Sequence, residues 1–305
     1  MITVLSGGTG TPKLLQGIKE LVDPEDINVI VNTVENNYFS GLYVAGDIDT
    51  VMYTLADMIN ESQWYGIEGD TYITNERLAD MGFPELLRIG DMDRANKIQK
   101  TLLLKEGYSL SEIVRIQCEY LSIDSTVVPM SDEDSDISIL TDKGELSFHD
   151  FLIKEGMEPD VLDVVFSNVS PAPGVIDLIN KSDIVIIGPS NPITSILPIL
   201  KMDGVVDALK DAYVVSVSPM IGDGAVSGPG GKFMNALGYQ STALGVSEMY
   251  KSFLNKMIID LEDSNLEDSV REIVDEVVVC NTFMKTLSDK KNLAENVLSG
   301  KILKK

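Results

Sequence analysis

Ser6-Gly7-Gly8-Thr9-Gly10-Thr11-Pro12-Lys13 stands between a short apolar run, Ile2-Thr3-Val4-Leu5, and an amphipathic stretch, Leu14 to Leu21. The order predicts a buried strand, a glycine turn and a helix. Such a turn is an anion site: glycines let the backbone approach a phosphate, and the free amides and helix dipole favour its charge. Lys13 falls one turn into the helix, where it could meet that phosphate. The spacing fits neither familiar loop. A Gly-x-Gly-x-x-Gly turn needs glycine at position 13, and a Walker loop needs Ser or Thr where Leu14 stands. A phosphorylated ligand at the N-terminal edge is the preferred reading over a turn that merely needs flexible residues.

Three further clusters follow strand-like runs. After Ile27 to Asn32 comes a loop ending in Gly46-Asp47-Ile48-Asp49-Thr50. Two close carboxylates before a helix suit Mg²⁺, which shares oxygen ligands with substrate phosphates; Asp49 is equally placed to serve as an N-cap. After Ile184 to Ile187 comes Gly188-Pro189-Ser190-Asn191-Pro192-Ile193-Thr194-Ser195-Ile196, either a second phosphate or base-binding loop or a turn with a proline-started helix. After Val214 to Val217 comes Ser218-Pro219-Met220-Ile221-Gly222, continuing to Val226-Ser227-Gly228-Pro229-Gly230-Gly231-Lys232.

The 305 residues carry a formal net charge of −24, which argues against a nucleic-acid partner held by a general basic surface. Local basic groups, Lys13, Arg88, Arg94 and Lys232, together with a divalent cation, are then expected to attract a phosphate ligand. Cys118 and Cys280 are far apart and read as reduced thiols. His149, the only histidine, is expected in a strand, Leu146 to Phe151, without a catalytic role. One histidine nearly excludes a Ser-His-Asp triad or a multi-histidine zinc site. No apolar run reaches membrane-spanning length and no signal peptide precedes the first strand, so a cytoplasmic protein without a membrane partner is expected.

Strands alternating with helical patterns predict an α/β fold, a Rossmann-like, mostly parallel sheet with ligand loops at the strand ends. Asp49 to Leu121 reads as predominantly helical. The expected division is an α/β nucleotide-binding core, residues 1–49 and 122–305, with a helical insertion, 50–121. A hairpin, Ile137 to Thr141 and Glu145 to Phe151, is expected around Asp142-Lys143-Gly144, and a basic helical tail over Leu293 to Lys305.

The chain resembles the CofD family of 2-phospho-L-lactate transferases. The resemblance lies in Ser6 to Leu15, Val31-Asn32-Thr33, Asp47-Ile48-Asp49-Thr50, Trp64-Tyr65-Gly66-Ile67-Glu68 with Asp70-Thr71, and Gly90-Asp91-Met92-Asp93-Arg94-Ala95. It continues in Pro129-Met130-Ser131-Asp132, Gly188 to Ile196, and Ser218 to Gly222 with Val226 to Pro229, in family order.

The resemblance implies transfer of a phospholactyl group from lactyl-2-diphospho-5′-guanosine to 7,8-didemethyl-8-hydroxy-5-deazariboflavin (Fo), with release of GMP, in coenzyme F(420) biosynthesis. Some relatives use an enolpyruvyl donor. It implies Mg²⁺ as cofactor and a homodimer. Asp49 would bind metal and meet the Fo hydroxyl, with a catalytic role as general base, and Arg88 would contact Fo. Gly7, Gly8, Thr9, Gly10, Thr11 and Lys13, with Gly188, Ser190, Asn191, Thr194 and Ser195, would hold the guanosine diphosphate donor. Asp49, Asp47 and Asn36 form the expected metal set. Trp64 reads as buried in the insertion rather than stacked on the flavin. Two departures stand out: Asn36 replaces a common aspartate, and Met92 a common arginine. The competing readings are a nucleotide-sugar-binding regulator of the gluconeogenesis-factor type and a dinucleotide oxidoreductase.

Overall fold

A computed structural model describes residues 1–222, 224–225 and 229–300. Val226-Ser227-Gly228 of the glycine-rich stretch, and the last five residues of the basic tail, lie outside them. Among the described residues the core is a seven-stranded sheet. Its strands are β1 (Ile2–Ser6), β2 (Ile27–Val31), β3 (Thr126–Pro129), β4 (Ile184–Ile187), β5 (Val214–Val217), β6 (Lys256–Asp260) and β7 (Glu276–Cys280). They lie in the order β7-β6-β5-β4-β1-β2-β3, every neighbouring pair parallel. The direction of winding reverses between β1 and β4. In such a sheet the crevice beyond the carboxyl ends at the reversal is where ligands bind. The chain therefore brings the loops after Ser6 and Ile187 side by side.

The strands are buried along their whole length where both faces are covered, as in β1, β2, β4 and β5. Under one face lie α1 (Gly10–Lys19), α2 (Gly46–Leu55), a helix at Leu110–Tyr120 and the last helix, Leu287–Leu298. Leu14, Met52, Val114 and Val297 join them to Val4 and Val29 in one apolar cluster. The other face is closed by residues such as Ile179, Ile199, Leu209 and Phe233.

Within the segment expected to be helical, α2 begins at Gly46, so Asp47 and Asp49 lie in its first turn and Asp49 is not its N-cap. Helices α3 (Ile73–Asp80) and α4 (Asp91–Lys105) follow, separated by irregular chain. Two aspartates tie their starts together. Asp91 accepts from Thr71 Oγ1 and from the amides of Ile73 and Thr74, while Asp70 accepts from the amides of Met92 and Asp93. The Asp70-Thr71 and Gly90 to Arg94 motifs thus hold the starts of α3 and α4 together.

A second sheet, three-stranded and antiparallel, contains the expected hairpin, Ile137–Thr141 with Gly144–Ser147, joined by Val161–Phe166. Its second strand stops at Ser147, and His149 lies in the helical turn that follows rather than in a strand. Ser147 Oγ accepts the Asp150 amide and turns the chain. The last helix ends at Leu298, within the expected tail of Leu293 to Lys305.

Candidate active site

The two loops at the sheet reversal are fitted together through their glycines. A Cβ on Gly10 would overlap the Pro189 carbonyl, one on Gly188 would overlap Thr11 Oγ1, and one on Gly7 would overlap Ser195. Ser190 Oγ accepts the Gly7 amide at 3.0 Å and lies 2.7 Å from Thr11 Oγ1. Asn191 caps its own helical turn by accepting from the amides of Ile193 and Thr194, with Pro192 in the first position. Helix α1, by contrast, has no side-chain cap and no acidic residue in its first turn, which leaves its amides available to an anion.

The fitted loops border a cavity of about 230 Å³. Gly8, Thr9, Gly10, Ser190, Asn191, Thr194 and Ser195 of the expected donor set line it, with Glu35 and Asp47. Gly7, Thr11 and Gly188 support this lining. Lys13 does not line it; its ammonium sits 4.9 Å from the Trp64 ring centroid and faces a smaller cavity beyond the first turn of α1.

Asp47 accepts from Asn32 Nδ2 at 3.0 Å and from the Gly8 amide. Burial pushes its carboxyl up to about 6 despite those bonds. Burial, and then the neighbouring Asp47, push Glu35 well above the usual carboxylate range. Two acids that resist ionising together invite a cation. Among the described residues no three His, Cys, Asp or Glu side chains converge as a metal site. A cation at this pair would draw its other oxygens from substrate phosphate and water, as Mg²⁺ commonly does. Asn36 donates to Tyr43 Oη at 3.2 Å, and its buried Oδ1 has no protein partner.

Asp49 faces a different space. A cavity of about 510 Å³ is lined by Asp49, Arg88, Lys97, Tyr53, Tyr65 and apolar residues, among them Leu86, Leu87 and Ile89. The two residues expected to meet the acceptor, Asp49 and Arg88, therefore share one cavity. The Arg88 guanidinium lies 3.8 Å over the Tyr72 ring. Asp49 is bonded by Lys97 at 3.1 Å and by the fully buried Lys100; Lys97 also bonds Asp93, which accepts from Tyr53 Oη. Burial would raise the Asp49 carboxyl, but Lys100 and Lys97 outweigh it and hold it below the usual range.

Two other expected phosphate-attracting groups are committed elsewhere. Arg94 pairs with buried Glu85, and Lys232 donates to the carbonyls of Met157, Glu158 and Pro159. Trp64 is partly buried between Lys13 and Lys290.

A family model described as 2-phospho-L-lactate transferase CofD matches residues 2–298. This chain belongs to the CofD family. It is 58% identical to the 2-phospho-L-lactate transferase of Methanothermobacter thermautotrophicus, over 99% of this chain and 98% of that one. It is 49% identical to the same-named protein of Methanocaldococcus jannaschii, over 98% and 97% of the two chains. Among solved structures, a member of the UPF0052 family from Bacillus halodurans, BH3568, shares the fold with a TM-score of 0.68. That match covers 97% of this chain and 98% of the other at 15% identity. For this CofD family member, the α/β core read from the sequence is the observed fold.

Sequence reasoning missed Glu35, Lys97 and Lys100. Glu35 carried a local signal, an acid in the loop after β2 beside Asn36. The lysines carried none, since their partner is about fifty positions away in the chain.

Proposed function

We propose that the chain is a 2-phospho-L-lactate transferase acting in coenzyme F(420) biosynthesis, moving phospholactyl from lactyl-2-diphospho-5′-guanosine to Fo and releasing GMP. The observation that carries this reading is that Asp47 and Asp49, in one helical turn, open onto two different cavities. The cavity bordered by the α1 N-terminus and Ser190 to Ser195 suits a diphosphate. The larger one, walled by Tyr53, Tyr65 and Leu86, suits a flat, mostly apolar ring system.

Phosphoryl-type transfer leaves the protein to position groups and balance charge. The terminal ribityl hydroxyl of Fo attacks the phosphorus bearing lactate; a new P–O bond forms as the bond to the GMP oxygen breaks. Asp49, in the lining of the larger cavity, accepts the hydroxyl proton or a hydrogen bond from it. Its two oxygens retain lone pairs beyond those used by Lys97 and Lys100. Arg88, fixed on Tyr72, borders the acceptor.

Mg²⁺ belongs to this reading. The Glu35–Asp47 pair fits it by charge and burial, with the unpartnered Asn36 Oδ1 on the same segment. Asp49 is already neutralised by two lysines and is the weaker ligand of the expected set. When bound, the ion would offset phosphate charge.

A homodimer is also part of the reading. Helix α4 turns Met92, Ile98 and Leu102 outward and Asp93, Lys97 and Lys100 inward, the reverse of a solvated helix. That outward stripe is the face we assign to a second copy. We place it in the cytoplasm; among the described residues no helix is long and apolar enough to cross a membrane.

Mass analysis of Fo incubated with the protein, donor and Mg²⁺ tests the reaction. A product heavier by one phospholactyl group supports it; unchanged Fo favours the nucleotide-sugar-binding regulator instead.

A further inference from the structure

The lysines that reach the site from α4, and Lys290 beside Trp64, are all bonded to carboxylates. Lys13 and Lys285 are not. Among the described residues neither has a close ion pair: Lys13 lies over the Trp64 ring at 4.9 Å, and Lys285 lies over Phe283 at 5.7 Å with Asp289 as a more distant opposite charge. In a chain of net charge −24, two ammoniums without a close carboxylate thus stand at one place. They border a single cavity of about 180 Å³, with Thr9, Gly10, Ser218 and Thr282 supplying polar lining at the carboxyl ends of β1, β5 and β7.

This cavity shares Thr9 and Gly10 with the acidic one, so the two meet at the first turn of α1. One side presents two carboxylates, the other two cations. A diphosphate chain spanning them would place one phosphate at a cation bound to Glu35 and Asp47 and the next against Lys13 and Lys285. The exposed ring of Phe283 borders the basic side and offers a face for a base.

Lys290 shares the Trp64 ring with Lys13, its ammonium 4.7 Å from the centroid. Burial and then Lys290 lower the Lys13 pKa, so its cation is held at a cost where it stands. An anion would relieve that. The neighbours of Trp64, Tyr65 and Gly66, line the acceptor cavity.

We propose that the basic cavity between Lys13 and Lys285 holds the phosphate of the leaving nucleoside monophosphate, and that Lys13 shifts from Trp64 onto it. The identity of the anion rests on the reaction proposed above; the site itself does not. Trp64 is the only tryptophan, so its emission reports the shift.

The test is a titration of the intact protein with GMP, and separately with inorganic phosphate, followed by Trp64 fluorescence and calorimetry. The expected result is a saturable emission change with GMP, and competition by phosphate. Lys285→Met, an exposed position, should weaken GMP about tenfold or more while leaving Fo affinity unchanged. Lys13→Met should weaken GMP and remove the emission response. Lys285→Met binding GMP within twofold of wild type, or emission unmoved by bound GMP, overturns the inference. Product formation with no effect of Lys285→Met on GMP would refute this cavity alone. GMP bound here without any transfer to Fo would refute the reaction alone.

Discussion

Asp47 and Asp49 lie two residues apart in the first turn of α2, yet their carboxyls are driven in opposite directions. Burial raises Asp47 to about 6, and the ammoniums of Lys100 and Lys97 hold Asp49 low. Environments that separate two acids in this way assign them different work. Asp49 stays ionised in the larger cavity; Asp47 gains its charge fully only with a cation or at higher pH.

The Asp49–Lys100 contact is buried, so removing one partner leaves the other without compensation. Lys100→Met should cost about 3–5 kcal/mol of stability, whereas an exposed pair such as Arg115–Glu119 should cost less than about 1 kcal/mol when broken. Urea unfolding of the two variants decides. Equal, small losses would mean that Lys100 does not carry the Asp49 charge.

Asp49→Asn should lower turnover by about two to four decades, the range for losing a positioned proton acceptor. Donor affinity should change little, because Asp49 borders the acceptor cavity and not the donor cleft. Single-turnover rates with calorimetry of donor binding separate the two effects. Wild-type turnover in a folded variant would remove Asp49 from the mechanism.

The pH dependence of the Glu35–Asp47 pair has a definite sign. The native Asp47 carboxyl keeps its proton to about pH 6, while the unfolded chain loses it near 4. Its contribution to stability is therefore fully present below about pH 4 and is lost as pH rises through 6. Cation-free protein should gain from Asp47→Asn increasingly across that window. Mg²⁺ should raise the melting temperature of the wild type at pH 7.5 and hardly at pH 5, since only the ionised pair binds it. Equal Mg²⁺ effects at both pH values would refute the pair as the cation site.

Gly10→Ala would drive a Cβ into the Pro189 carbonyl, a backbone group that cannot rotate away. The expected cost is about 1–3 kcal/mol of stability, with donor binding weakened in the folded fraction because the two loops separate. Gly46→Ala, where a Cβ meets nothing, is the control. If both variants behave alike, the interlock of the loops is not what requires glycine.

Much of the fold was legible because β1, β2, β4 and β5 are short, mostly apolar runs with glycine, proline or asparagine just after them. Strands β3, β6 and β7 were not read. Thr126–Pro129 is short and partly exposed at the sheet edge, and Lys256–Asp260 begins and ends in charged residues. Lys256 is buried there because Asn296 and Ser299, at the end of the last helix, supply acceptors and Glu276 of β7 a charge, a tertiary fact with no local pattern. The site divides in the same way. The glycine loops and the Asp47–Asp49 turn announce themselves by spacing. The charges that tune them, Lys97 and Lys100, come from a helix whose polar face reads as solvated but is turned inward.

The most direct measurement is the rate of GMP release from lactyl-2-diphospho-5′-guanosine with Mg²⁺, in the presence and absence of Fo. Release that requires Fo, and matches phospholactyl-Fo formed mole for mole, is the expected result. GMP released equally without Fo, or not released at all, would contradict transfer between the two cavities.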